Sequence, residues 1–193
     1  MKRIEILKNE LAQRILVLDG AMGTMIQRYK LEEEDFRGKK FAQHSHNLKG
    51  CNDVLNLTKP EIIQEIHLQY LKAGADIIET NTFNGTLISM TDYGLEDQVL
   101  SMNKAGAQLA CAARDEYLKE TGKQCFVAGA VGPTNKTASL PTDVNKPGER
   151  SVSWNQLFSS YSEQIGALID GGADIILIET IFDTLNAKAA LAA

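Results

Sequence analysis

Three acidic residues stand where short apolar runs stop. Asp19 follows Ile15-Leu16-Val17-Leu18, Glu79 follows Ile77-Ile78, and Glu179 follows Ile175-Ile176-Leu177-Ile178. Runs of this kind, with no polar alternation, read as strands of a parallel sheet covered by helices, and the C-terminal mouth of such a sheet is where ligands bind. A carboxylate there has an alternative task, which is to accept hydrogen bonds from the first amides of the next helix. Three carboxylates around one mouth repel one another, and a cation, either a metal or a substrate ammonium, offsets them most directly. The spacing therefore assigns Asp19 and Glu179 to a ligand and Glu79 to a capping role. Beyond Asp19, Gly20-Ala21-Met22-Gly23 lets the chain turn sharply and aim its N–H groups at an anion. The same residues also make an ordinary tight turn, and they lack the full G-x-G-x-x-G of a dinucleotide site. An acid beside such a turn suits an α-amino acid, with ammonium on the acid and carboxylate on the amides.

The elements that must position these groups are written partly in duplicate. Residues 74–87 read GADIIETNTFNGTL and residues 172–185 read GADIILIETIFDTL, 98 positions apart. Strands are expected near 15–18, 76–80, 126–131 and 174–179. Helices are expected over 4–14, from Thr58 through 73 with a capping box at Thr58-Lys-Pro-Glu61, over 96–119, from Ser153 with a second capping box, and from Leu185 onward. Ile62, Ile66, Tyr70 and Ala73 form the expected buried stripe of the second helix. Residues 28–57 read as a long surface excursion, and 132–150 as a long polar loop. Strand-helix units with tight returns and elaborated strand-to-helix loops mark an α/β protein of (β/α)8 TIM barrel type. Four such units with an unfinished last helix read as a truncated barrel.

With 44% hydrophobic residues and a net charge of −5, the chain has enough apolar residues for one sizeable core and no basic excess for nucleic acid. No apolar run is long enough to span a membrane, and the charged N-terminus is no secretory signal, so a cytoplasmic protein is expected. Cys51, Cys111 and Cys125 are irregularly spaced and form no disulfide framework. His44 and His46 near Cys51 lack a paired metal motif and read as surface histidines. His67 reads as structural or exposed, and Cys111 and Cys125 as packing residues.

LDGAMGTMIQ at 18–27, FRGKKFAQHSHNLKGCNDVLNLTKPEII at 36–63, GADIIETNTFNGT at 74–86, VAGAVGPTNKTASL at 127–140 and GGADIILIETIFDTLNAKAAL at 171–191 resemble the N-terminal homocysteine-binding domain of the cobalamin-dependent methionine synthases. The resemblance covers almost the whole chain and implies that 1–193 is a homocysteine S-methyltransferase domain, incomplete at its C-terminus. It implies a methyl group passed from methylcobalamin to a zinc-activated homocysteine thiolate, giving methionine, with folate- and cobalamin-binding modules on a missing C-terminal part. Matched residue by residue, the substrate clamp is Asp19, the Gly20 and Ala21 backbone and Glu179, with Asn81 and Thr82 lining the mouth. The family's zinc is held by a cysteine from a later strand and an adjacent cysteine pair, and none of these has a counterpart here. The chain is thus expected to hold no zinc ligands. The betaine- and S-methylmethionine-dependent homocysteine methyltransferases, which need no cobalamin, share the first-strand Asp-Gly and the strand-end Glu. A non-catalytic binding fragment is the remaining alternative.

Overall fold

A computed structural model describes residues 3–193. In chain order the elements are α1 (Arg3–Gln13), α2 (Met22–Gln27), α3 (Glu33–Arg37), α4 (Leu55–Thr58), α5 (Pro60–Lys72), β1 (Ile77–Glu79), α6 (Leu87–Met90), α7 (Val99–Thr121), β2 (Phe126–Val131), α8 (Trp154–Asp170), β3 (Ile175–Ile178) and α9 (Thr184–Ala192). The three strands pair in parallel in the order β1-β2-β3, so sequence neighbours are also sheet neighbours. None of the described helices is long and apolar enough to cross a membrane.

β2 is buried along its whole length because FVAGAV is small enough to be covered closely. A Cβ on Gly129 would stand 3.1 Å from Leu168 of α8 and 3.3 Å from Ile176 of β3. α8 starts as its sequence suggests: Gln156 N–H donates to Ser153 Oγ and Ser153 N–H donates to Gln156 Oε1, a closed capping box.

The duplicated stretch is duplicated in space. Gly74 and Gly172 both have positive φ, at 113° and 98°, the left-handed region where a side chain is strained. The aspartate two residues later does the same work in each copy. Asp76 accepts from Val17 N–H (3.0 Å) and pairs with Arg14 (2.9 Å) and Lys123 (2.9 Å). Asp174 accepts from Val127 N–H (2.9 Å) and pairs with Arg3 (2.7 Å) and Arg114 (3.0 Å). Each aspartate therefore bolts the start of its own strand to the segment beside it, the 15–18 run for Asp76 and β2 for Asp174. The guanidinium of Arg14 holds the Asp76 carboxyl far below the usual carboxylate range.

Three sequence expectations are corrected. Residues 15–18 form no strand: Leu18 makes a single parallel bridge to Ile77, and Ile15, Val17 and Leu18 are 88%, 55% and 42% exposed. Val17 O accepts from both Asp76 and Ile77, so the run follows β1 in direction, but it lies at the sheet edge with no described element over its side chains. The 28–57 segment is a surface excursion only in part, with residues 45–47, 49 and 50 exposed. Phe36, Phe41, Leu48, Val54 and Leu55 are buried in one cluster with Ile63 and Ile66 of α5 and Met102 of α7. Short turns interrupt its apolar residues, so no single period shows in the sequence. The Thr58 capping box does not form: Thr58 Oγ1 donates to Val54 O and closes α4, and α5 starts on Pro60 without a side-chain cap. The buried face of α5 is correspondingly turned, to Ile63, Ile66, His67 and Leu71.

Asp174, 7% exposed, joins two arginines and a strand amide. Asp174→Asn removes one of the two carboxylates that pair with the buried Arg114, and the one that pairs with the part-exposed Arg3, and should destabilise the fold by about 1–3 kcal/mol. Chemical denaturation at pH 7 measures it, and a change below about 0.5 kcal/mol would remove the clamp from the account.

Candidate active site

Asp19, which follows the bridged edge segment, meets Glu79 at the end of β1 and Glu179 just beyond β3. A cavity of about 410 Å³ at the C-terminal edge of the sheet is lined by Asp19, Glu79 and Glu179, by the Gly20–Gly23 turn, and by Asn52, Asp53, Thr80, Asn81, Phe83, Asn84 and Ala130. The parallel register brings this about, because β1, β2 and β3 all run out on the same side. Glu179 stands on the cavity directly after β3, and the residue that follows it, Thr180, is left-handed at φ 59°. A β-branched residue in that region is strained, a feature that concentrates at functional sites.

Charge in this cavity is out of balance. Among the described residues the lining contains four acids and no Lys, Arg or His. Asp19 Oδ2 accepts from Glu79 N–H at 3.0 Å, while Asp19 Oδ1 is buried without a partner. Burial first, and then the charge of Glu179, push the Asp19 carboxyl up to about 7 despite that amide bond. Glu79 is raised further, by burial, by the charge of Glu179 and a hydrogen bond shared with it, and by the charge of Asp19. Asp53, 3% exposed, accepts from Asn84 N–H at 3.1 Å and is pushed up to about 7 by burial.

The turn after Asp19 is built for close approach. A Cβ on Gly20 would press to 3.2 Å from the Tyr70 hydroxyl, which itself donates to Ala21 O at 3.2 Å. No side chain caps α2, whose N-cap is Ala21. Asp19, Gly20, Ala21, Asn81 and Glu179 thus all line one cavity, as the sequence suggested. Glu79, read there as a capping residue, also has its side chain on the cavity. Asn81 Nδ2 donates to Asn52 O (2.7 Å) and Asn56 Oδ1 (3.1 Å), which fixes the cavity wall. Thr82 is the correction: it is fully buried off the cavity, donating to Ala130 O at 2.8 Å and hydrogen-bonded to Thr80 Oγ1 at 2.6 Å. It ties the loop after β1 to β2 and offers nothing to a ligand. Asn52, Asp53 and Asn84 were missed. Asn52 and Asp53 stand as an Asn-Asp pair in the 28–57 stretch, which has no strand or helix period, and Asn84 lies in the loop after β1.

The remaining candidates lie elsewhere. His44 Nε2 is hydrogen-bonded to Tyr93 O at 2.7 Å, and His46 is exposed. His67 is fully buried with neither ring nitrogen partnered, and burial pushes it down to about 4, so it is neutral at pH 7. Cys51 contacts Met90 Sδ (3.8 Å), Cys111 donates to Gly172 O (3.2 Å) and Cys125 to Ala75 O (3.6 Å), so the three thiols are separate and none lines the cavity. Among the described residues no group of three or more His, Cys, Asp and Glu is placed to hold a metal, so the zinc implied by the resemblance finds no fitting ligand set here. The cavity has the size of a small-metabolite site.

A small parallel sheet flanked by helices, with an acidic cavity at the strand ends, is the arrangement of a barrel-type enzyme domain. The sequence profile described as Homocysteine S-methyltransferase matches residues 16–193, so the chain belongs to that family. Among solved structures it is similar to the homocysteine methyltransferase MmuM from Escherichia coli. The oxidized form matches with a TM-score of 0.72 and 26% identity over 96% of this chain and 61% of that one. The metallated form matches with a TM-score of 0.71 and 26% identity over 94% and 60%. The chain therefore spans about three fifths of the length of these relatives.

With its folded value raised to about 7, Asp19 favours folding fully only below the ordinary carboxylate range, and this contribution is lost as pH rises through 7. Asp19→Asn should accordingly stabilise the ligand-free protein by roughly 1–3 kcal/mol at pH 8 and change little near pH 4. Thermal unfolding at both pH values checks this. Equal effects at the two would mean that Asp19 carries no buried charge.

Proposed function

We propose that the cavity grips the amino-acid end of homocysteine while its sulfur is methylated to give methionine. The observation that carries this is the convergence of Asp19, Glu79 and Glu179 on a cavity whose described lining has no cationic side chain. The substrate ammonium lies between Asp19 and Glu179, taking the unpartnered Asp19 Oδ1 as one acceptor. The substrate carboxylate lies on the Gly20–Ala21 backbone, where the glycine permits close approach and no side chain caps the turn. Held at that end, the side chain points its sulfur away from the acids toward the open mouth. Positioning of this kind turns the encounter with a methyl donor into a local event.

The chemistry is a displacement. The thiol proton leaves, sulfur forms a bond to the methyl carbon, and the bond between that carbon and its carrier breaks. Asp19, Glu179 and the turn bind and orient, and no described residue is placed to lower the thiol's pKa. The methyl donor in this proposal is methylcobalamin on a separate module, recharged from methyltetrahydrofolate, as the long sequence blocks suggest. The cavity's small volume supports a donor brought from outside. A second reading, a cobalamin-independent donor such as betaine or S-methylmethionine, is favoured by the likeness to MmuM. A methyl-transfer assay with each donor in turn separates them.

Asp19→Asn or Glu179→Gln removes charge and keeps shape. A charge-assisted hydrogen bond contributes roughly 1.5–3 kcal/mol, so homocysteine should bind roughly ten- to a hundredfold more weakly to either variant. 4-Mercaptobutanoate, the same thiol without its amino group, should bind all three proteins alike. If it suffers as much as homocysteine, the acids are structural.

Binding to the wild-type protein should also tighten as pH rises from 6 to 8, because the ammonium needs Asp19 ionised and that carboxyl holds its proton up to about 7. Titration calorimetry across that range reads it. A flat profile would contradict ammonium recognition by these acids.

A further inference from the structure

The Gly20–Ala21 turn reaches the cavity by a looser route than the glutamates do. Glu79 ends β1 and Glu179 follows β3, so each is carried by a strand paired in the sheet. The turn follows the 15–18 run, which lies exposed at the sheet edge and makes one bridge to β1. Asp19 is tied to β1, its N–H donating to Ile77 O at 2.9 Å and its Oδ2 accepting from Glu79 N–H at 3.0 Å. Beyond Asp19 the support comes from the other side. The Tyr70 hydroxyl donates to Ala21 O at 3.2 Å, the same oxygen that accepts from Met25 N–H at 3.3 Å where α2 begins. The ring also bears on the turn: a Cβ on Gly20 would stand 3.2 Å from Oη and 3.3 Å from Cε1 of Tyr70, closer than an ordinary contact. Tyr70 is itself well rooted. It follows the buried Ile66 and His67 by four and three residues on α5, and it packs against two core clusters, one holding Ile63 and Met102 and the other Leu71 and Val127.

We propose that Tyr70 is a positioning residue of the site: from α5 it holds the Gly20–Ala21 turn against the cavity, and the missing side chain of Gly20 lets the turn settle on its ring. The proposal rests on the amino-acid clamp described above and adds a residue that does not line the cavity and touches no substrate. A binding group has to be held to within about 0.5 Å of its working place, and groups fixed by packing and by hydrogen bonds behind the site achieve this. The core contacts of the Tyr70 ring fix the hydroxyl, and the hydroxyl fixes the carbonyl of Ala21. Without that bond the turn keeps its connection to Asp19 but is free to shift its backbone relative to the cavity, so the cost falls on the end of the ligand that the turn receives.

The test is Tyr70→Phe, which keeps the ring and its core contacts and removes only the hydroxyl. Titration calorimetry should show homocysteine binding roughly two- to tenfold more weakly than to the wild-type protein, the weight of one neutral hydrogen bond. 3-Aminopropanethiol, which is homocysteine without its carboxylate, should bind both proteins alike, because it keeps the ammonium and has nothing to place on the turn. Unchanged homocysteine binding overturns the proposal. An equal loss for both ligands also overturns it, since Tyr70 would then act through the fold as a whole and not through the turn.

A second readout needs no ligand. Amide hydrogen exchange in free Tyr70→Phe should be faster at Met25, whose N–H shares the Ala21 carbonyl, by about threefold or more, and unchanged at Val127 and Ala130 in β2. Exchange at Met25 that does not respond, or that quickens equally at all three amides, overturns the proposal. If Met25 alone responds and the wild-type protein binds no homocysteine, the clamp itself has failed and the anchoring of the turn by Tyr70 stands.

Discussion

The mutual repulsion of carboxyl groups held at one sheet edge is the constraint on which the site depends. Asp19, Glu79 and Glu179 come from three separate stretches, and among the described residues none has a cationic side chain beside it in the cavity. Coulomb energy between such groups grows steeply as water is excluded. Burial and the neighbouring charges push the Asp19 carboxyl up to about 7 and raise that of Glu79 as well. Elsewhere the same chain treats buried acids in the opposite way. Asp76 and Asp174 each have basic partners and a strand amide, and they serve the fold. The contrast between paired acids at one end of the strands and unpaired acids at the other separates scaffold from site.

That division follows from one repeated pattern. In each copy of Gly-Ala-Asp followed by an apolar run and Glu-Thr, the aspartate enters the sheet and the glutamate leaves it. The entering aspartate locks its strand to the neighbour, which sets the register and so the height at which the leaving glutamate emerges. Moving either strand by one residue would turn its glutamate to the opposite face. The strained Thr180 after Glu179 is held within this framework, with Asp183 just beyond it accepting from Leu185 and Asn186 N–H at the start of α9. Rigidity at the bottom of the sheet is what allows unbalanced charge at the top.

Much of this was legible in the residues. Acids that end apolar runs marked Asp19 and Glu179, and a turn glycine marked the close approach at Gly20, because both signals are local. What failed depended on neighbours distant in sequence. Ile15–Leu18 has the composition of a buried strand, and only the sheet order reveals it as an exposed edge. Thr58 has the spacing of a capping box, yet a preceding one-turn helix claims its hydroxyl. Thr82 sits in the motif next to Asn81, but its hydroxyl is bound to Ala130 O of β2 and Thr80 Oγ1, which holds it in the core while Asn81 faces the cavity. Asp53 was invisible because the segment carrying it folds over the sheet mouth through irregular turns, and no periodicity announces that. The apolar residues of this stretch, among them Val54 and Leu55 next to it, pack into the core and carry Asp53 to the cavity.

The most direct measurement of the central claim is a crystal structure of the protein with homocysteine bound. The account predicts the substrate nitrogen within hydrogen-bond distance, about 2.7–3.2 Å, of both the Asp19 and Glu179 carboxylates. It also predicts the substrate carboxylate against the Gly20–Ala21 amides and the sulfur at the open mouth. A complex with the sulfur among the three acids, or with the ammonium outside this cavity, would contradict it.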